Sequence, residues 1–244
     1  MRLVRLCKIE WYRFFHSLEI VKYFIIVPFV LVAMCYINIF SVRYDISTVA
    51  VWGSLSSIYL YIMITLIILI SIYIGREYYY KTINYEVIRE YGMCRIVVAK
   101  TVTCGLFVPV VYTISIWMYL FLMIDDFIPE YTLRIILFCI LHMHICTATM
   151  LYVILCKNGI IGGLIAFARF FIGEIVLQSI FSNNKIMLEH FIIRLQVFKQ
   201  WSDLICIDIP IKMSDVWMIL LTTIAEYGFL LFIIQINKKY YDIH

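Results

Sequence analysis

Long runs without charge decide what this chain can fold into. Residues 23–42, 51–75 and 101–124, and the stretch from Ile135 to Cys156, contain no Asp, Glu, Lys or Arg. Two further apolar runs, 159–181 and 216–237, contain only Arg169 with Glu174, and Glu226. A helix crosses a bilayer with about 20 mostly apolar residues, and each of these runs has that length. Strands with the strict alternation that a membrane barrel needs are absent. Backbone polar groups in lipid must be satisfied within the segment, which leaves helices. Only 15% of the 244 residues are charged, against roughly 25% in soluble domains, so no water-facing domain fits in what remains. The chain reads as one all-α integral membrane domain, 1–244, with six transmembrane helices at about 23–42, 51–75, 101–124, 132–156, 159–181 and 216–237.

Lys and Arg in the short loops orient such a bundle. Thirteen lie on the side that holds both ends, Arg76, Lys81, Arg89, Arg95, Lys100 and Lys157 among them, and six lie on the other, including Arg43 and Arg134. Both termini are therefore expected in the cytosol. Met1 to Lys22 is too charged for the apolar core of a signal peptide. Its apolar residues Leu3, Val4, Cys7, Trp11, Phe14, Phe15 and Leu18 fall within one helical arc, with Arg5 and Arg13 among the cations outside it. That pattern predicts an interfacial helix, apolar side down, marked by Arg5, Trp11, Arg13 and Phe14. The eight cysteines form no CxxC motif and read as reduced packing residues. The loop from Ser182 to Asp215 carries a helical stripe of Leu188, Phe191, Ile192, Leu195 and Phe198, which predicts a helical outer loop between the last two spans.

The segment between the second and third runs is unusually polar. Within it, Thr82 to Tyr91 places Ile83, Val87 and Tyr91 on one face and turns Glu86, Arg89 and Glu90 away, and Gly92 follows as a helix stop. A short amphipathic helix on the cytosolic surface suits a docking role, and an ordinary positive loop is the plain alternative.

The intramembrane charges are costly and should face the bundle or a wet cavity. Arg169 and Glu174, five residues apart, point about 140° from one another, whereas Arg169 and Glu226 share a depth near the midplane, so an Arg169–Glu226 pair is expected to join the last two spans. The alternative role for Arg169, Glu174 and Glu226 is to line a substrate path. His142 and His144, two residues apart on a helix, cannot clamp one ion together, so no metal site is expected and both read as packing residues. Gly159, Gly162 and Gly163 should allow close helix approach at the start of the fifth run.

Glu77, Thr82-Ile83, Gly92, Arg95 and Lys100 together resemble the cytosolic segment of ABC-2 type permeases, with Lys81 standing where that family usually has Gly. The amphipathic N-terminal helix, six spans and helical outer loop are also similar to that family, and the chain's size to its lantibiotic-immunity and bacitracin-resistance members. The resemblance implies that Glu77, Thr82, Ile83, Glu86, Arg89, Glu90, Gly92 and Arg95 belong to a coupling helix and its flanks, docked on an ATP-binding subunit present in two copies. It implies a second permease, identical or homologous, a peptide or amphiphilic substrate, and membrane lipid around the bundle. No P-loop sequence occurs in the chain. No cofactor is therefore expected here, ATP and Mg belonging to the partner ATPase, and no nucleic-acid partner or catalytic residue is expected. An abundance of Ile, Tyr and Lys fits the plasma membrane of a low-GC bacterium. Two other classes stay open: an ion- or proton-coupled secondary transporter using Glu174 and Glu226, and an intramembrane enzyme, for which no paired-Glu, HExxH or Ser/His pattern is found.

Overall fold

The computed structural model describes residues 2–41, 47–80, 93–124, 129–173, 176, 179, 196–208 and 210–236. The regular elements among them are all helical. They are α1 (Arg2–His16), α2 (Leu18–Ser41), α3 (Thr48–Tyr79), α4 (Met93–Met123), α5 (Pro129–Cys156), α6 (Gly159–Phe167), which continues as a π turn (Ala168–Gly173), α7 (Val197–Ile205) and α8 (Met213–Ile236).

Local chemistry explains several ends. Ser47 accepts the amide of Ala50 at 3.2 Å and starts α3. Pro129 opens α5, where its missing N–H costs nothing, and Glu130 complements the positive end of the helix dipole. Asn158 accepts the amides of Ile160 and Ile161 at 2.9 and 3.1 Å and starts α6. Between α5 and α6 the chain reverses through Lys157, whose φ is 53°.

Helices α3, α4, α5 and α8 are each long and apolar enough to cross a membrane, and α1 with α2 gives a fifth crossing if the two are one span. The apolar helix Gly159–Gly173 is shorter than a span within the described residues. Among the described residues the structure thus shows the all-helical membrane class that was expected, with four to five helices of membrane length where six were expected.

Helix α5 is the axis of the bundle, packing against α3, α4, α6 and α8. In its most apolar stretch 72% of residues are buried, against 22% in α8. At the end where α5 begins, α7 lies over the bundle. Trp201 stacks on Tyr59 with ring centroids 3.9 Å apart and packs against Phe138 at 4.3 Å. Arg134, which the sequence reading counted among loop charges, is fully buried there. Its guanidinium donates to the carbonyls of Leu204 and Cys206 at 2.8 and 3.0 Å, pairs with Glu130 at 2.7 Å, and lies over the Trp52 ring. Those carbonyls belong to the end of α7, where a cation complements the dipole. Of the expected stripe, residues 188 to 195 lie outside the described residues, and α7 is the helix observed in that loop.

The α1 face differs from the arc expected of it. Leu6, Glu10 and Phe14 are buried, whereas Leu3, Val4 and Trp11 are exposed. Its bundle-facing side is rotated toward an acidic residue. The cause is electrostatic and is found in α4.

Candidate functional site

Besides the Arg134–Glu130 pair, the described residues hold two further clusters of charge within the bundle. The first gathers at the end from which the 81–92 connection leaves. Glu77 sits in the last turn of α3 and Lys100 in the third turn of α4. The Lys100 ammonium, fully buried, is 2.5 Å from Glu77 Oε2 and 2.7 Å from Glu10 Oε2. Arg13 Nη1 adds a contact of 3.4 Å to Glu10 Oε1. An unpaired ammonium in this place would carry a heavy desolvation cost, and two carboxylates around one cation offset it. Glu10 is thereby drawn inward, which rotates α1. Aromatic packing then fixes the helix on α4: the rings of Trp11, Phe14 and Phe15 all meet Phe107, with centroids 5.1 to 5.9 Å apart.

The second cluster surrounds Glu226 of α8, which is mostly buried. Arg169 Nη2 and His144 Nε2 each lie 3.1 Å from Oε2, and the Tyr152 hydroxyl donates to Oε1 at 3.0 Å. His144 Nδ1 meets the Thr223 hydroxyl at 3.3 Å. Arg169 rides on the π turn, a wider coil than the α-helix and one that often marks functional sites. The carboxylate therefore joins three helices, α5, α6 and α8. The arrangement can hold these helices together, and it places a wet-chemistry group inside an apolar bundle.

Arg169 and Glu226 are in contact, as their shared depth implied, and the sequence reading did not foresee His144 or Tyr152 beside them. His144 is buried and packs its ring edge-on to Phe170, as a packing residue does, and its Nε2 also reaches a carboxylate. His142 points elsewhere, its Nδ1 3.3 Å from the Thr113 hydroxyl. Spacing along one helix gives no sign of such a partner, which comes from 82 residues away. Glu10 was missed for the same reason, its ammonium partner being 90 residues distant.

Of the residues expected around a coupling helix, Glu77 enters the first cluster and Arg95 is exposed at the start of α4. Thr82, Ile83, Glu86, Arg89, Glu90 and Gly92 lie outside the described residues, as does Glu174. Arg5 is exposed on α1. Among the described residues, no group of three His, Cys, Asp or Glu side chains could hold a metal ion.

The glycines of α6 form a third feature. A Cβ added at Gly75 would lie 2.6 Å from Gly159 Cα, and one at Gly162 would overlap the Val153 backbone. Helices α3, α5 and α6 thus touch backbone to backbone. Beside this seam, α3 and α6 form an apolar groove of about 770 Å³.

Matched against models of protein families, against curated proteins and against solved structures, the chain returns no match.

Proposed function

We propose that this chain is the permease subunit of an ATP-driven ABC-2 type transporter, expelling antimicrobial peptides of the lantibiotic or bacitracin kind from a bacterial membrane. Two copies of a separate ATP-hydrolysing subunit dock on its cytosolic side, and a second permease completes the pathway. The observation that carries this reading is the Lys100 triad. Glu77 and Lys100 flank the 81–92 connection on either side, and Lys100 also holds Glu10 of the N-terminal helix. A push delivered to a helix at 82–91 would therefore reach α1, α3 and α4 together, because one buried ammonium ties all three. A loop that only turns the chain has no need of such a joint. The chain hydrolyses nothing itself in this scheme. Glu226 and its donors keep α5, α6 and α8 together while the bundle changes shape.

The test is purification of the full chain from native membranes in mild detergent, with mass spectrometry of what accompanies it. A stoichiometric P-loop ATPase is expected, lost when Glu86, Arg89 and Glu90 are replaced together and retained in the Arg5→Gln control. A chain that emerges alone at every detergent strength overturns the reading.

One observation favours a second reading, a proton- or ion-coupled secondary transporter: a carboxylate within the bundle, engaged by Arg169, His144 and Tyr152. Ionisable groups at such depth often mark proton and ion routes. Transport in ATP-free vesicles, driven by an imposed gradient and lost in Glu226→Gln, would favour it over the first.

A further inference from the structure

Trp201 of α7 fills an aromatic slot between α3 and α5. We propose that this slot is a binding site for an aromatic side chain of a peptide, one that carries its own N–H donor, and that α7 is a plug that withdraws to admit it. The inference rests on the reading of a peptide substrate, and its test needs no ATPase, so the two can fail separately.

The depth of α7 comes first. Trp201 lies on Tyr59 of α3, and its neighbour Gln200 donates to the Thr222 hydroxyl of α8 at 3.1 Å. Counted from the helix starts at Thr48 and Met213, those contacts lie about 14 to 16 Å in at 1.5 Å per residue. That is near the middle of a hydrocarbon core of about 30 Å, so α7 reaches well into the bundle from the end where α5 begins. Arg134 grips the carbonyls at the last turn of α7, whereas Gln196 gives the first turn no side-chain cap. Nine residues are also fewer than the about 12 that an isolated helix needs. The charged grip is at one end, and the rest of α7 keeps its shape only while seated.

The chemistry of the slot comes second. The Trp201 indole stacks on Tyr59, packs against Phe138, and lies 5.7 Å from the His142 ring, centroid to centroid. Thr113 gives its hydroxyl proton to the Pro109 carbonyl at 2.8 Å. His142 Nδ1, 3.3 Å from that hydroxyl oxygen, must therefore be the donor, which leaves Nε2 as an acceptor. His142 Nε2 and Trp201 Nε1 are both buried, and among the described residues neither has a hydrogen-bond partner. An acceptor and a donor thus stand side by side without meeting. Buried polar groups left in this way are costly, and a permanent contact would have paired them. The tethered indole follows α7, whose end is clamped at Arg134, and its N–H falls short. An indole delivered on a separate peptide is free to slide along Tyr59 until its N–H reaches His142 Nε2. Such a guest makes one bond more than the plug it replaces.

The test uses the full chain in lipid nanodiscs with three probes: N-acetyl-tryptophanamide, its 1-methyl derivative, which lacks the indole N–H, and N-acetyl-leucinamide. In the parent chain, N-acetyl-tryptophanamide should speed amide exchange in α7 and leave α5 unchanged, with N-acetyl-leucinamide inert. Trp201→Ala vacates the slot, and N-acetyl-tryptophanamide is then expected to bind about tenfold more tightly than the 1-methyl derivative. Adding His142→Phe, which keeps an aromatic ring and removes the acceptor, should erase that difference. Unchanged α7 exchange in the parent chain overturns the proposal, and this arm depends on the folding of no variant. Equal binding of the two tryptophan probes overturns it too, as does a preference that survives His142→Phe. Acceleration by N-acetyl-leucinamide to the same degree marks general loosening of the bundle and counts equally against the slot.

Discussion

At the scale of single residues, the bundle depends on charges that look unfavourable one at a time. Lys100 is fully buried and would be costly alone, yet removing it would be worse than never having had it. Lys100→Met leaves Glu10 and Glu77 facing one another without the buried ammonium between them, with only the half-exposed Arg13 beside Glu10. Breaking a buried ion pair in this way costs about 3–5 kcal/mol, so a large drop in resistance to denaturing detergent is expected. Adding Glu10→Gln and Glu77→Gln to the same chain should restore most of it, because no charge is then stranded. A Lys100→Met chain as stable as the parent would show that the triad is not an energetic unit. The Glu226 cluster has a different logic. Its carboxylate is shared among Arg169, His144 and Tyr152, so exchanging Arg169 and Glu226 would present a guanidinium to two groups chosen to donate. The cluster is directional.

At the scale of elements, the helices were legible in the sequence and several of their contacts were not. Long apolar runs marked α3, α4, α5 and α8 because lipid and core make the same demand, apolar side chains on a self-satisfied backbone. Gly159, Gly162 and Gly163 announced close approach, and the backbones do meet there. The facing side of α1 was hidden, since periodicity weighs Glu10 as a solvent-facing residue and cannot know of Lys100. Arg134 was hidden likewise, being an ordinary loop cation until α7 presents three carbonyl groups to it. Glycine chemistry supplies a contrast that can be measured. Gly162→Ala forces a methyl group into the Val153 backbone and should destabilise by about 1–3 kcal/mol. Gly228→Ala, with nothing within 4 Å, should stabilise α8 by about 0.5–1 kcal/mol through lost chain entropy. Unfolding of both variants in denaturing detergent reads the difference, and equal effects would deny the seam its tightness.

At the scale of the whole molecule, burial grades outward from α5 through α3 and α4 to α8. Local opening follows burial, so amide exchange should be slowest in α5 and many times faster in α8, measured on the chain in detergent micelles. A uniform rate across the two would place the stable core elsewhere. One part of this architecture also bears on how the chain is made. Helices α5 and α6 are joined by only Lys157 and Asn158, with Lys157 in the left-handed conformation and Gly162 seated on Val153 nine residues back. The contacts that close the turn on itself, Asn158 on the amides of Ile160 and Ile161 and Gly162 on Val153, are encoded within a dozen residues, so closing it demands little search through distant sequence. The pair can enter the bilayer as a preassembled hairpin during synthesis, presenting Arg169 and His144 on one scaffold before α8 has been translated. Glu226, arriving last, would then act as the latch that closes an assembly already standing.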